Sequence, residues 1–246
     1  MSLLKNLSTD ESIANEKDSI GSSGVIDSGC YLAKIAIAYI TKATSGALGL
    51  VLHLKTEAGK EVRQTLWMTS GTAKGGHNYY TDKEGAKHYL PGFNHANSLA
   101  LLTLGKEINS LDTETKVVNV WSSEAKAEVP TKVEMITDLL GKEIIVGVIK
   151  QTVDKTVKND AGAYVPTGET REENEIDKFF RARDKMTTAE IRAQATEATF
   201  MDTWEAKWTG KVRDKTSKNG ATNGAPKAAG AAQAAGTKKP STSLFA

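Results

Sequence analysis

The chain is poor in most of the features that identify a protein at first sight. Among its 246 residues there is one cysteine, Cys30, so no internal disulfide can form, which fits a reducing compartment. An apolar β-prone run follows Cys30, which marks it as a buried thiol rather than a reactive one. No stretch approaches the about 18 to 20 apolar residues of a membrane helix. The opening "MSLLKNLSTDESIANEKDS" lacks the basic-then-apolar order of a secretory signal, so the chain is expected in the cytoplasm and away from membranes. Aromatic residues make up only 6%. Acidic residues stop at Asp214, and the following residues 215–246 carry five lysines. The body, residues 1–214, therefore has 27 basic against 30 acidic side chains, while the whole chain has a net charge of +2.

Enzyme signatures are missing too. "GTAKGG" lacks the closing GK[ST] of a phosphate-binding loop, no GxSxG occurs, and "EEN" and "DTET" do not make a two-metal nuclease pattern. No catalytic activity and no cofactor are expected. His77, His88 and His95 fall within 19 residues, but zinc usually takes four ligands and neither CxxC nor HExxH is present, so no metal is expected either.

What the chain has is alternation. "CYLAKIAIAYITKA" (30–43), "ALGLVLHLKTEAG" (47–59) and "EVRQTLWMTS" (61–70) are three β-prone runs separated by "TSG" and "EAGKE", a meander. In the third run Val62, Gln64, Leu66 and Met68 alternate with Arg63, Thr65, Trp67 and Thr69, which gives one apolar and one polar face. "GGHNYYTDKEGAKHYLPG" (75–92) follows as a small hairpin turning at 81–85, and "FNHANSLALLTLG" (93–105) as a helix entered after Pro91-Gly92 and stopped by Gly105. "VVNVW" (117–121) is expected to be a strand and "AEVPTKVEMITDLLG" a mixed or helical lead-in. Two long strands, 142–157 and 170–180, flank a loop "KNDAGAYVPTG". From Thr187, Ile191, Ala195, Ala198, Met201, Trp204 and Trp208 recur at helical spacing, with Thr187 or Thr188 as cap close before Glu190. Trp204 and Trp208 are expected in the core.

The fold class is thus mainly β with flanking helices, α+β. Three strands, a helix and two strands is the order of the five-stranded Greek-key barrel called the OB-fold, an order some small sandwiches share. The organisation expected is an N-terminal extension (1–28), a barrel domain (29–210) with an inserted hairpin and a C-terminal helix, and a tail (211–246). The tail is rich in Ala, Gly, Ser, Thr and Asn, a disordered composition, and ends in an apolar tip. Lys238, Lys239, Leu244 and Phe245 are its candidates for docking on a partner.

The meander "SGCYLAKIAIAYITKATSGALGLVLHLKTEAGKEVRQTLWMTSG", the later "LLGKEIIVGVIKQ" and "TREENEIDKFF", and a tail with an apolar tip resemble the single-stranded DNA-binding proteins of tailed bacteriophages over about Gly29 to Phe180. The resemblance implies an OB-fold that coats single-stranded DNA in phage replication, recombination and repair, and a C-terminal segment that recruits replication, recombination or transcription proteins. Tails of that family are commonly acidic, whereas this one bears lysines.

The residues fit such chemistry on their own terms. A sequence-independent groove needs aromatic faces for bases and cations for phosphates. The stacking candidates are Tyr80 or Tyr79, one of which must turn inward, with Tyr89, Trp67 and Tyr164. Candidate phosphate contacts are Arg63, Lys74, Lys83 and Lys87, with Lys150, Lys155 and Lys158 on the later strands. A structural or adaptor protein, including one associated with the virion, is the alternative, its barrel and tip making protein contacts only.

Overall fold

The computed structural model describes residues 24–122, 124–160 and 164–217. The described chain divides into two compact units, a larger one from 24–151 and 172–213 and a smaller one from 152–171 and 214–217. It is mainly β, with antiparallel pairing and three α-helices among the described residues.

The expected meander is present as β1 (Gly29–Lys42), β2 (Leu48–Thr56) and β3 (Glu61–Trp67). Alternation decides which side each residue takes: Leu50, Leu52, Leu54, Val62 and Leu66 are buried on the inner face, as is Met68 just beyond β3. A small hairpin follows, β4 (Tyr79–Thr81) with β5 (Lys87–Tyr89), and then α1 (Pro91–Leu104). Pro91 at the first helical position has no N–H to lose, and Gly105 ends the helix in the left-handed region at φ 70°. Ala96, Leu99, Ala100 and Leu102 bury its inner side, and Ala96, Leu99 and Leu102 join the main core.

The segment expected to be mixed or helical is instead a strand. β6 (Glu114–Ser122) and β7 (Ala127–Met135) form a hairpin, and only the short turn Thr137–Leu139 is helical. Pro130 sits inside β7 opposite Asn119, which is tolerable because β7 reaches β1 only through Met135 and Glu134, so that most of its far edge needs no N–H donor. β8 (Glu143–Lys158) pairs with the first half of β1, and β9 (Tyr164–Phe180) pairs with β8. Strand β9 starts six residues earlier than expected, taking in Tyr164 to Gly168 of the presumed loop.

The single C-terminal helix is two, α2 (Thr188–Arg192) and α3 (Phe200–Trp208). Gln194 adopts φ 54° and breaks the run, and the Glu190 carboxylate accepts the N–H groups of Thr199 and Phe200, each at 2.8 Å, so that α3 has its own start. Of the two threonines expected as its cap, Thr187 is the cap of α2, in a reciprocal box with Glu190. Strand β10 (Val212–Asp214) pairs with β8, and it falls beyond the boundary placed at 210. Trp204 is buried with Ile145, Ile149, Phe180 and Met201, its indole N–H donating to Asp177 Oδ2 at 2.7 Å, and Trp208 packs partly buried beside it. The tail candidates Lys238, Lys239, Leu244 and Phe245 lie outside the described residues.

The strands do not close into a barrel: β3 pairs only with β2 among the described residues. No described helix is long and apolar enough to cross a membrane.

Candidate nucleic-acid interface

The outer face of β2 and β3 is built by the same alternation that fills the core. Arg63 stands opposite His53 and Trp67 opposite Gly49, with Thr65 between them opposite Val51. Trp67 is 45% exposed. Its ring lies across Gly49, where a Cβ would come within 2.9 Å of the indole. Glycine there is what lets the ring lie down on the sheet. Behind Trp67, Gly92 at the start of α1 brings the helix against the Trp67 backbone so closely that a Cβ would sit 2.1 Å from the carbonyl oxygen.

The small hairpin is tied to this region by its backbone. Ser70 N–H donates to the His77 carbonyl at 2.8 Å, His77 N–H to Ser70 Oγ at 3.0 Å, and Leu90 N–H to the Asn78 carbonyl at 2.9 Å. Thr72 N–H donates to Ser45 O at 2.8 Å, which links it to the β1–β2 turn. Register then sorts the rings: Tyr79 faces Tyr89, and Tyr80 faces His88 on the other side. Tyr79 is less exposed than Tyr80, half-buried on the face it shares with Tyr89. His77 stacks on it at 4.9 Å, and the Lys87 ammonium lies 4.8 Å from its centroid. Tyr89 leans on Phe93 of α1 at 5.0 Å but remains 57% exposed, and Tyr80 is open to solvent. Lys74 and Lys83 are exposed in the turns before β4 and after it. Beside the hairpin a groove of about 480 Å³ runs over Met68, Phe93, Ile108 and Leu111.

Not every candidate cation is available. Lys150 is held by Glu172 at 3.1 Å and Asp27 at 3.7 Å, and Glu172 raises its pKa, so it serves the fold rather than a groove. Arg63 donates through Nε to Glu61 at 2.9 Å and forms an exposed ion pair with it. In the smaller unit Lys155 pairs with Glu169 at 2.9 Å, and Lys158 and Tyr164 are exposed at the facing ends of β8 and β9.

Two residues that sequence reasoning passed over belong with these. His53 is half-buried opposite Arg63, and burial, then Arg63, lowers its pKa while Glu61 and Glu128 oppose the shift. Trp121 on β6 is 64% exposed. The alternation in "VVNVW" carried the signal for Trp121, but its face becomes visible only once β7 is known to be a strand.

Other chemistry finds little support. Burial and Glu205 push the Cys30 thiol up to about 12, which leaves no thiolate at neutral pH. His95 is partly buried edge-on to Phe179, His88 is bonded to Asp82 at 2.7 Å, and the described residues hold no group of three or more side chains placed for a metal ion. Neither the known family models nor the curated proteins contain a match to this chain.

Proposed function

We propose that this protein binds single-stranded DNA without strong sequence preference, protecting it during phage replication, recombination and repair. One observation carries the reading: an open indole, Trp67, and a guanidinium, Arg63, stand in line on the outer face of β3. They are four residues apart on one side of a strand, about 13 Å. Bases stack on such rings whatever their identity, and cations follow the phosphates, which is the combination unspecific binding requires.

The strand arrangement supports an OB-type barrel as the scaffold. β1 runs antiparallel to both β2 and the first half of β8, and α1 comes after the meander and the small hairpin. In OB-folds, which are partly open, the face of the second and third strands and the loops after the first and fourth take the ligand. Here those strands are β2 and β3, and the β6–β7 hairpin is an insertion. Tyr89 and Lys87, on one face of the small hairpin, extend the surface beyond Trp67, with Lys74 and Lys83 in the turns beside it, while Tyr80 stands on the hairpin's other face. Lys155, Lys158 and Tyr164 are candidate contacts of the smaller unit in their own right. In this reading the tip Leu244-Phe245 recruits replication, recombination or transcription proteins.

The test is a titration with polythymidine followed by tryptophan fluorescence at two salt concentrations. Quenching is expected, with log affinity falling against log salt at about −0.7 for each phosphate contacted. A chain that leaves the oligonucleotide unbound at physiological salt overturns the reading in favour of an adaptor with protein contacts only.

A further inference from the structure

We propose that Trp121 is a second stacking platform for the bound strand, and that the β6–β7 hairpin is an arm laid along the sheet to carry it; this rests on the function proposed above.

The two faces of the hairpin are built for different tasks. Val118 and Val120, with buried Val133 and Met135, pack against Tyr39, Ile37 and Val51 of β1 and β2 and hold the hairpin on the outer side of the meander. The opposite face consists of Val117, Asn119 and Trp121 on β6, standing across from Lys132, Pro130 and Glu128 on β7. All six are exposed, Val117 at 63% and Trp121 at 64%. A hairpin that needed only to cover Tyr39 and Val51 has finished that task with its valines. An indole and a valine are left on its water-facing side, and apolar groups exposed together in this way mark binding surfaces.

Charge and position favour a nucleic acid as the occupant. Lys132 shares the face with Trp121, and Lys126 is exposed in the turn that begins β7. Val120, next to Trp121, belongs to the same packed cluster as Val51 of β2, and Val51 lies two residues from His53, the cross-strand neighbour of Arg63. The end of the hairpin that bears Trp121 therefore adjoins the stretch of sheet that bears Arg63. A strand stacked on Trp67 and following Arg63 is led towards Trp121, so that two indoles on different elements hold it. A ring on a hairpin arm and a ring on the sheet also suit a ligand of no fixed sequence, because each takes whichever base reaches it.

The experiment uses the full chain, thymidine homopolymers and four variants: Trp121→Ala, Trp121→Phe, Trp67→Ala and Trp67→Phe. Trp121→Ala should weaken binding about 5- to 100-fold, the equivalent of one lost stack, without changing the salt slope, since no charge is removed. Trp121→Phe should retain most of the affinity and lose part of the quenching. Thermal unfolding of both Trp121 variants should match the parent, because the side chain is exposed. Wild-type affinity in Trp121→Ala alongside weakened Trp67→Ala overturns this inference and leaves the proposed function standing. A parent protein that binds no DNA removes both. Self-association that disappears in Trp121→Ala with DNA affinity intact, measured by sedimentation velocity, assigns the face to a second copy of the chain and also overturns it.

Discussion

Gln64 Oε1 accepts the backbone N–H of Ile176 at 2.6 Å, so that a side chain from β3 serves β9 where a neighbouring strand would otherwise do so. This bond stands at the seam that a closed barrel would zip. Beside it an open groove of about 530 Å³ is lined by Glu61, Arg63, Glu172 and Asn174. Ile176 is fully buried, so its N–H has no ready replacement from water. Gln64→Ala should cost about 1–3 kcal/mol, the penalty for a buried donor left unsatisfied. Urea unfolding checks it: the midpoint should fall with the slope unchanged. A midpoint equal to the parent's would mean that the seam is held by apolar packing alone.

Gly92 presents a steric case. Its missing side chain lets α1 approach the Trp67 backbone, and a methyl there would overlap the Trp67 carbonyl oxygen at 2.1 Å. The obstacle is backbone, which cannot swing away as a flexible side-chain end does. Gly92→Ala should therefore destabilise the fold by about 1–3 kcal/mol or more, although alanine is the better helix former in isolation. The variant should also displace Trp67, so its fluorescence maximum should shift in the absence of DNA. Unchanged stability and emission would contradict the close approach.

The inner and outer faces of β3 were legible in the sequence because alternation alone decides them: Val62 and Leu66 are buried, and Arg63 and Trp67 exposed. The Thr187 cap was legible for a similar reason, since both of its partners lie within three residues. Long-range events were not. Pro130 is a residue disfavoured inside a strand, and only the limited pairing between β7 and β1 explains why it is tolerated. Ala195 and Ala198 continue the helical spacing from Ile191, yet the Glu190 carboxylate caps a new helix at Thr199 and Phe200. Lys150 looked like a free cation because its partners, Asp27 and Glu172, are far away in sequence. The candidate site was therefore legible only as residue types, and which of those residues come together is set by contacts that periodicity does not encode.

Glu190 makes stability depend on acid. Burial pushes its carboxyl up, but the N–H groups of Thr187, Phe200 and Thr199 and the Thr187 hydroxyl outweigh that and hold it at about 2, below the ordinary value of 4.5. A carboxyl depressed on folding contributes stability that is present in full above its unfolded pKa and lost as pH falls through the folded one. The window here runs from about 4.5 down to about 2. Glu190→Gln should be less stable than the parent at pH 7, by about 1–2 kcal/mol, as for a lost helix cap. The difference should shrink steadily as pH falls through that window. Thermal unfolding of both proteins between pH 7 and pH 2 checks it, and a difference independent of pH would remove the charged carboxylate from the account.

Arg63 is bound to Glu61 in the free protein, and both side chains face water. Exposed pairs of this kind contribute about 0–1 kcal/mol, so the contact is weak enough for a phosphate to displace. The carboxylate nevertheless repels the same phosphate and competes for the guanidinium. If Arg63 lies on the path of the strand, Glu61→Gln should tighten binding to polythymidine severalfold at low salt. Arg63→Ala should weaken it and reduce the salt slope by about 0.7, the share of one phosphate. The double variant should then bind like Arg63→Ala, because the effect of Glu61 operates largely through its partner. Titrations of the three variants at two salt concentrations decide the matter: equal affinity for Glu61→Gln and the parent, together with an unchanged slope for Arg63→Ala, would place the phosphates elsewhere on the molecule.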